Sequence, residues 1–370
     1  MDSAPDSHLG KPGGSAHSPT AESSGRRVEG LDAARALAIL GMLAVNVGPL
    51  DGSGITGKLL VLPHGRASLL FVLLAGIGYT LLTRRARQGG PVPWQQVLWR
   101  AVLLGLIGLS TQLLDHEIDV ILTTYAALFV VALLFVRAPS WLLLAGTGAV
   151  TLAGPVLWLV MQSGGAEFDR EPATVLDPPL QILVSTVASG PYPMLTWLAP
   201  FLFGMWLGRL RLGDRDVQLR LLTLGGVVAV AAEVLTRVLE AAVGPASEAL
   251  GAERLISGGA HSQMPLWLVA GTAAGVFVLG LALLVQPALG GASWPLVATG
   301  QMALTVYVAH MVLLAVFVRP GPHTLIGGAL TTVALALVLV VAATLWRHFV
   351  GRGPLEALLR WGPRRSHTAP

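Results

Sequence analysis

Cysteine is absent from the chain, and that one absence removes disulfides, thiolate metal sites and a cysteine nucleophile. Charge is scarce as well. Only 12% of the 370 residues are charged against 54% hydrophobic, and the mean hydropathy is +0.69; a soluble domain carries about twice that share of charge. No HExxH, Walker loop or GxSxG occurs, and the histidines lack metal-ligand spacing, so no metal is expected. The glycine-rich patches SGGAEFD and GGAS follow no strand pattern, which argues against a dinucleotide fold. Period-2 alternation is missing too, so a membrane β-barrel is not expected.

What the chain has instead is a succession of apolar runs of about 20 residues, each long enough to cross a hydrocarbon core as helix. The reading is an all-α, polytopic transmembrane helix bundle of about ten spans, near 31–49, 62–82, 97–114, 119–136, 140–161, 192–210, 219–242, 265–287, 294–317 and 324–346. The transmembrane domain covers residues 29–348. Residues 1–28, rich in Ser, Pro and Gly with no apolar core, are expected to be a disordered cytoplasmic tail and not a signal peptide. Residues 349–370 form a basic cytoplasmic C-terminal tail.

An even number of spans places both ends on one side, and the basic residues say which. Seventeen of the 24 Lys and Arg fall at one face, including Arg84, Arg85, Arg100, Arg209, Arg211, Arg347, Arg352 and Arg360. Both termini are therefore expected in the cytoplasm and the protein in the inner (cell) membrane. The opposite face collects Asp51, Asp115, Glu117, Asp119, Glu167, Asp169, Glu171 and Asp177. The pI of about 9.9 then reflects a cytoplasmic edge facing anionic lipid headgroups, and nucleic acid is not an expected partner.

Against this background a few polar residues stand out. In EGLDAARALAILGMLAVNVG, residues 29–48, a helix turning about 100° per residue places Asp32, Arg35 and Asn46 within about 60° of one another on a single face. A charge at membrane depth costs a few kcal/mol, so that face is expected to line a wet cavity. Capping by Asp32 and snorkelling by Arg35 are the structural alternatives. His64, His116, His261 and His310 share the outer level, each with plain hydrogen bonding as its alternative role. His310 sits deepest, in GQMALTVYVAHMVLL, with Tyr307 on the same face. Arg66 follows His64 and suits a phosphate, a carboxylate or an acyl oxyanion. Glu233, Arg237 and Glu240 share a face of the seventh span as a mutually neutralising cluster.

RRVEGLDAARALAILGMLAVNVGPL resembles the first-helix signature of the YeiB-like bacterial membrane proteins and of the heparan-alpha-glucosaminide N-acetyltransferase group. HGRASLLFVLLAG, VILTTYAALF, PYPMLTWLAPFLFGMWLGRL, AHS and GQMALTVYVAH follow in the YeiB-like order, so the likeness runs from about residue 26 to 346. The resemblance implies a transmembrane acyltransferase that takes an acyl group, acetyl above all, from cytoplasmic acyl-CoA as co-substrate. The acceptor is a sugar or small molecule at the outer face. It implies Asp32, Arg35 and Asn46 along the donor path, with Arg84 and Arg85 on the CoA phosphates. Arg35, Asn46, Arg66, Tyr307 and His261 are the expected substrate-binding residues. His64 or His310 is base or acyl carrier, and Asp32 joins the catalytic set. In the acetyltransferase group the essential histidine follows the Val-Asn pair at a shorter interval; here Gly57 and Lys58 stand near that place. Membrane lipids are partners, and a homodimer stays open. A polar stripe across the bilayer equally suits a transporter or exporter of a small polar or anionic metabolite, which stays the alternative.

Overall fold

The computed structural model describes residues 28–50, 52, 54–163, 172–244 and 251–362. Residues 1–27 of the N-terminal tail, Asp51, Glu167, Asp169, Arg170, Glu171, Arg364 and Arg365 lie outside them. All regular structure among the described residues is helical. In chain order the α-helices are α1 Glu29–Val47, α2 Gly54–Val61, α3 Arg66–Leu82, α4 Arg84–Arg87, α5 Trp94–Thr111, α6 Leu122–Val131, α7 Ser140–Ser163, α8 Pro179–Val184, α9 Met194–Leu207, α10 Arg215–Val243, α11 Pro265–Leu289, α12 Trp294–Gln301, α13 Ala303–Leu313, α14 Leu325–Phe349 and α15 Pro354–Arg360.

Each of the ten expected segments coincides with helix. Among the described residues six stretches are long and apolar enough to cross a membrane unaided: 29–47, 54–82, 140–163, 215–243, 265–301 and 325–349. Part of the difference from ten has a geometric cause. The apolar helices at 122–135 and 194–207 rise only about 21 Å, less than the roughly 30 Å of hydrocarbon. Residues 265–301 join what was expected as one span and the start of the next. Met302, with φ −113° and ψ 31°, then divides the ninth segment into α12 and α13. The chain is thus a multi-pass, all-helical membrane protein.

α1 is the hub, packed against α3, α11, α12, α13 and α14. Ala and Gly let neighbouring backbones approach closely there, as small residues do between membrane helices. A Cβ on Gly300 would collide with the backbone oxygen of Asp32, so the α1–α12 crossing admits only glycine. α10 and α14 lie at the periphery and show rows of exposed Val and Leu, among them Val227, Val230, Val234, Leu330, Val333 and Leu337. Such a surface suits lipid and not water.

Residues 349–362, set apart from the bundle in the sequence reading, fold back on it. Trp99 Nε1 donates to Leu358 O at 3.1 Å. Glu356 takes the backbone N–H groups of Leu304 and Thr305 at 2.8 and 3.1 Å and the Thr305 hydroxyl at 2.6 Å. A carboxylate at the start of α13 satisfies donors that the break at Met302 leaves open.

Candidate active site

Where α1 begins and α3 ends, a cavity of about 1000 Å³ opens. Arg35 from α1, Arg84 from α4, Arg100 from α5, and Arg209 and Arg211 from the link after α9 line it, with Asp32 and Asp214 as the acidic members. Asp32 is buried, and Arg35 Nη1 donates to its Oδ1 at 2.6 Å. Five guanidiniums against two carboxylates leave the chamber positive. Arg209 keeps Nε and Nη2 buried without a hydrogen-bond partner, a poised set of donors for an anion.

A cleft of about 250 Å³ shares Arg35, Leu74, Ala75 and Phe129 with this chamber and continues inward along Leu104, Leu122 and Leu304. Its walls are chiefly apolar. Phe71 and Tyr125 belong to them, and Phe71 stacks on Tyr125 and on Tyr307 with ring centroids 5.5 and 5.8 Å apart. Tyr307 in turn lines a small cavity of about 30 Å³ with Asn46, Ser68, Asp119, Tyr192 and His261. The wet cavity expected along the stripe on α1 is therefore two chambers with an aromatic layer between them.

Beyond that layer His310 is fully buried, and its ring meets that of Tyr307 edge to face at 5.1 Å. Asn46 Nδ2 lies 3.2 Å from His310 Nε2. With the amide donating, Nε2 is the acceptor and Nδ1 carries the proton; Nδ1 is buried without a partner. Arg319 braces the pair: Nη2 donates to the Asn46 backbone oxygen at 2.9 Å and Nε to His116 O at 2.8 Å. The Tyr307 hydroxyl accepts from Ile121 N at 3.3 Å.

A second histidine group stands beside this one. The rings of His64 and His261 are 5.5 Å apart, and Tyr192, Trp197 and Trp267 enclose His261 at 5.6, 6.2 and 5.7 Å. His261 adopts φ 58° in the loop before α11. Gln263 anchors that loop to α9 by accepting from Thr196 Oγ1 at 2.9 Å and Trp197 Nε1 at 2.8 Å. Burial, and then the neighbouring His64, hold the His261 imidazole down at about 4 from 6.5, so it is neutral at pH 7. Burial also lowers His116 and raises the Asp119 carboxyl.

The expected site residues thus divide. Asn46, Tyr307 and His261 share a cavity, and His310 is bound to Asn46. Arg35 and Asp32 line the basic chamber with Arg84. Arg85, the other expected phosphate ligand, is exposed and outside that lining. A catalytic set joining Asp32 to His64 and His310 does not form: fourteen residues of α1 separate Asp32 from Asn46, a rise of about 21 Å. Arg66 lines none of these cavities. It pairs with Glu233 at 3.7 Å and donates to Leu62 O at 3.1 Å, joining the Glu233–Arg237 pair, itself 2.8 Å apart. Arg100, Arg209 and Arg211 were expected at this face but not in the site. Arg100 carried a usable signal, since it lies in an apolar helix where charge is costly. Phe71, Tyr125 and Tyr192 carried none.

The fold and these chambers define a multi-pass membrane protein with an arginine-lined cavity at one end and a buried histidine layer toward the other. Residues 27–235 match the family model described as heparan-alpha-glucosaminide N-acetyltransferase, catalytic, and residues 212–365 match that described as protein of unknown function (DUF418), the YeiB-like family. The first match spans more than half of the chain, which therefore belongs to the heparan-alpha-glucosaminide N-acetyltransferase catalytic family. No curated protein matches the chain.

Proposed function

We propose that the protein moves an acyl group, acetyl above all, from acyl-CoA at its basic end to a sugar or small-molecule acceptor at its histidine end. The observation that carries this reading is the arginine chamber of about 1000 Å³ running into an apolar cleft that ends at the Tyr125–Phe71–Tyr307 layer. A chamber of that volume holds a cofactor-sized ligand. Its guanidiniums suit a diphosphate, and the cleft suits the uncharged pantetheine arm. The basic end faces the cytoplasm, where Lys and Arg collect, the bundle lies in the inner membrane, and both termini lie inside.

At the aromatic layer the acceptor oxygen or nitrogen attacks the thioester carbonyl. The new C–O or C–N bond forms, the C–S bond breaks, and the acceptor's proton passes to an imidazole and on to the leaving thiolate. His310 is the base that the geometry favours, because Asn46 fixes its ring and, with the Asn46 amide turned so that its oxygen accepts from Nε2–H, the partnerless Nδ1 is left to take the proton. His64 is the second candidate, and His261, Tyr307 and Asn46 hold the acceptor.

Protein reconstituted in nanodiscs and supplied with acetyl-CoA and a mixture of amino sugars is expected to release free CoA thiol, and His310→Ala to stop the release. Solute flux through proteoliposomes with no acyl donor, together with no thiol release, would replace this reading with a transporter.

A further inference from the structure

A second basic cavity, of about 470 Å³, adjoins the first. Arg100, Arg347, Arg352 and Arg360 line it with Gln301 and Glu356. Arg100 and Arg347 are half-buried at its base, while Arg352 and Arg360 are exposed at its mouth. The single carboxylate offsets only one of the four cations, and both Glu356 oxygens already accept from Leu304 and Thr305 at the start of α13. Arg347 Nη1 donates to Gly351 O at 2.8 Å, but its Nε and that of Arg100 are buried without a partner. Converging guanidiniums repel one another unless an anion lies between them, and their planar forks match phosphate oxygens.

Arg100 belongs to both basic cavities, so one ligand with two separate phosphate groups can occupy them together. We infer that the Arg100–Arg347–Arg352–Arg360 cavity binds a phosphomonoester, namely the 3′-phosphate on the ribose of the acyl-CoA donor, while the larger chamber holds the diphosphate. This assignment rests on the acyltransferase reading. A phosphomonoester dianion draws more from four guanidiniums than a singly charged phosphodiester does. An anionic lipid headgroup is the other source of the same chemistry.

The test is equilibrium binding of CoA and of 3′-dephospho-CoA to the full chain, in nanodiscs of zwitterionic lipid and in nanodiscs containing phosphatidylglycerol. Wild type is expected to prefer CoA by about tenfold or more in both lipids. The double variant Arg352→Gln/Arg360→Gln changes exposed side chains; it should bring the two affinities within about twofold, chiefly by weakening CoA. Equal affinities in wild type, or a variant that weakens both ligands alike, would overturn the assignment and leave the acyltransferase reading standing. A preference that vanishes only in phosphatidylglycerol would assign the cavity to lipid. Binding of neither ligand would remove the acyl-CoA reading itself.

Discussion

The two ends of this bundle bury polar groups by opposite means. The basic end is open: a cavity of about 1000 Å³ keeps five arginines in reach of solvent and of an anionic ligand. The histidine end is closed around a cavity of about 30 Å³, and its polar atoms face one another: Asn46 on His310, Arg319 on two backbone oxygens, Gln263 on Thr196 and Trp197. Charge at membrane depth is tolerated where water or a ligand reaches it, or where fixed acceptors hold it as the two backbone oxygens hold Arg319. A site that binds a polyanionic donor at one end and moves a proton at the other needs both solutions in one molecule.

The sharpest way to separate the ends is His310→Ala. Loss of a positioned base should cut acyl transfer by about 10²–10⁴-fold, while CoA affinity, a property of the basic end, stays within about twofold of wild type. Next in size is Gly300→Ala at the α1–α12 crossing. The added Cβ runs into the Asp32 backbone oxygen, and the cost should reach about 3 kcal/mol, seen as a lower melting temperature in detergent. Arg35→Gln removes one partner of buried Asp32 and should lose about 1–3 kcal/mol, with a raised KM for the donor and a kcat that changes little.

The smallest effect belongs to His261. Its folded value of about 4 lies below 6.5, so the unfolded chain binds more protons between those limits. Stability is therefore full above pH 6.5 and falls as pH drops toward 4. His261→Asn, which tolerates the φ of 58° at this position, should flatten the melting curve's pH dependence in that window by about 2–4 °C. An unchanged slope would show that the loop's histidine does not titrate on unfolding.

Much of this arrangement could be read before any coordinates. Asp32, Arg35 and Asn46 announced themselves because helix geometry is regular and charge in lipid is expensive, and His310 with Tyr307 followed from the same spacing. What stayed hidden depends on distant segments meeting. The Tyr125–Phe71–Tyr307 layer draws one ring from each of three helices, so nothing in the sequence marks the division of the stripe into two chambers. Arg66 taken alone points to a substrate, and its partner Glu233 lies on a helix far along the chain. Glu356 falls in a stretch that reads as a tail, though it holds the start of the helix that carries His310.

A cryo-EM map of the protein with acetyl-CoA tests the central claim most directly. The account predicts a nucleotide among Arg84, Arg100 and Arg209, with the pantetheine arm entering the cleft past Leu74 and Phe129 and the thioester ending at Phe71. A donor bound on the lipid-facing surface of α10 or α14, or a basic chamber filled by a lipid tail while acetyl-CoA is in excess, would contradict it.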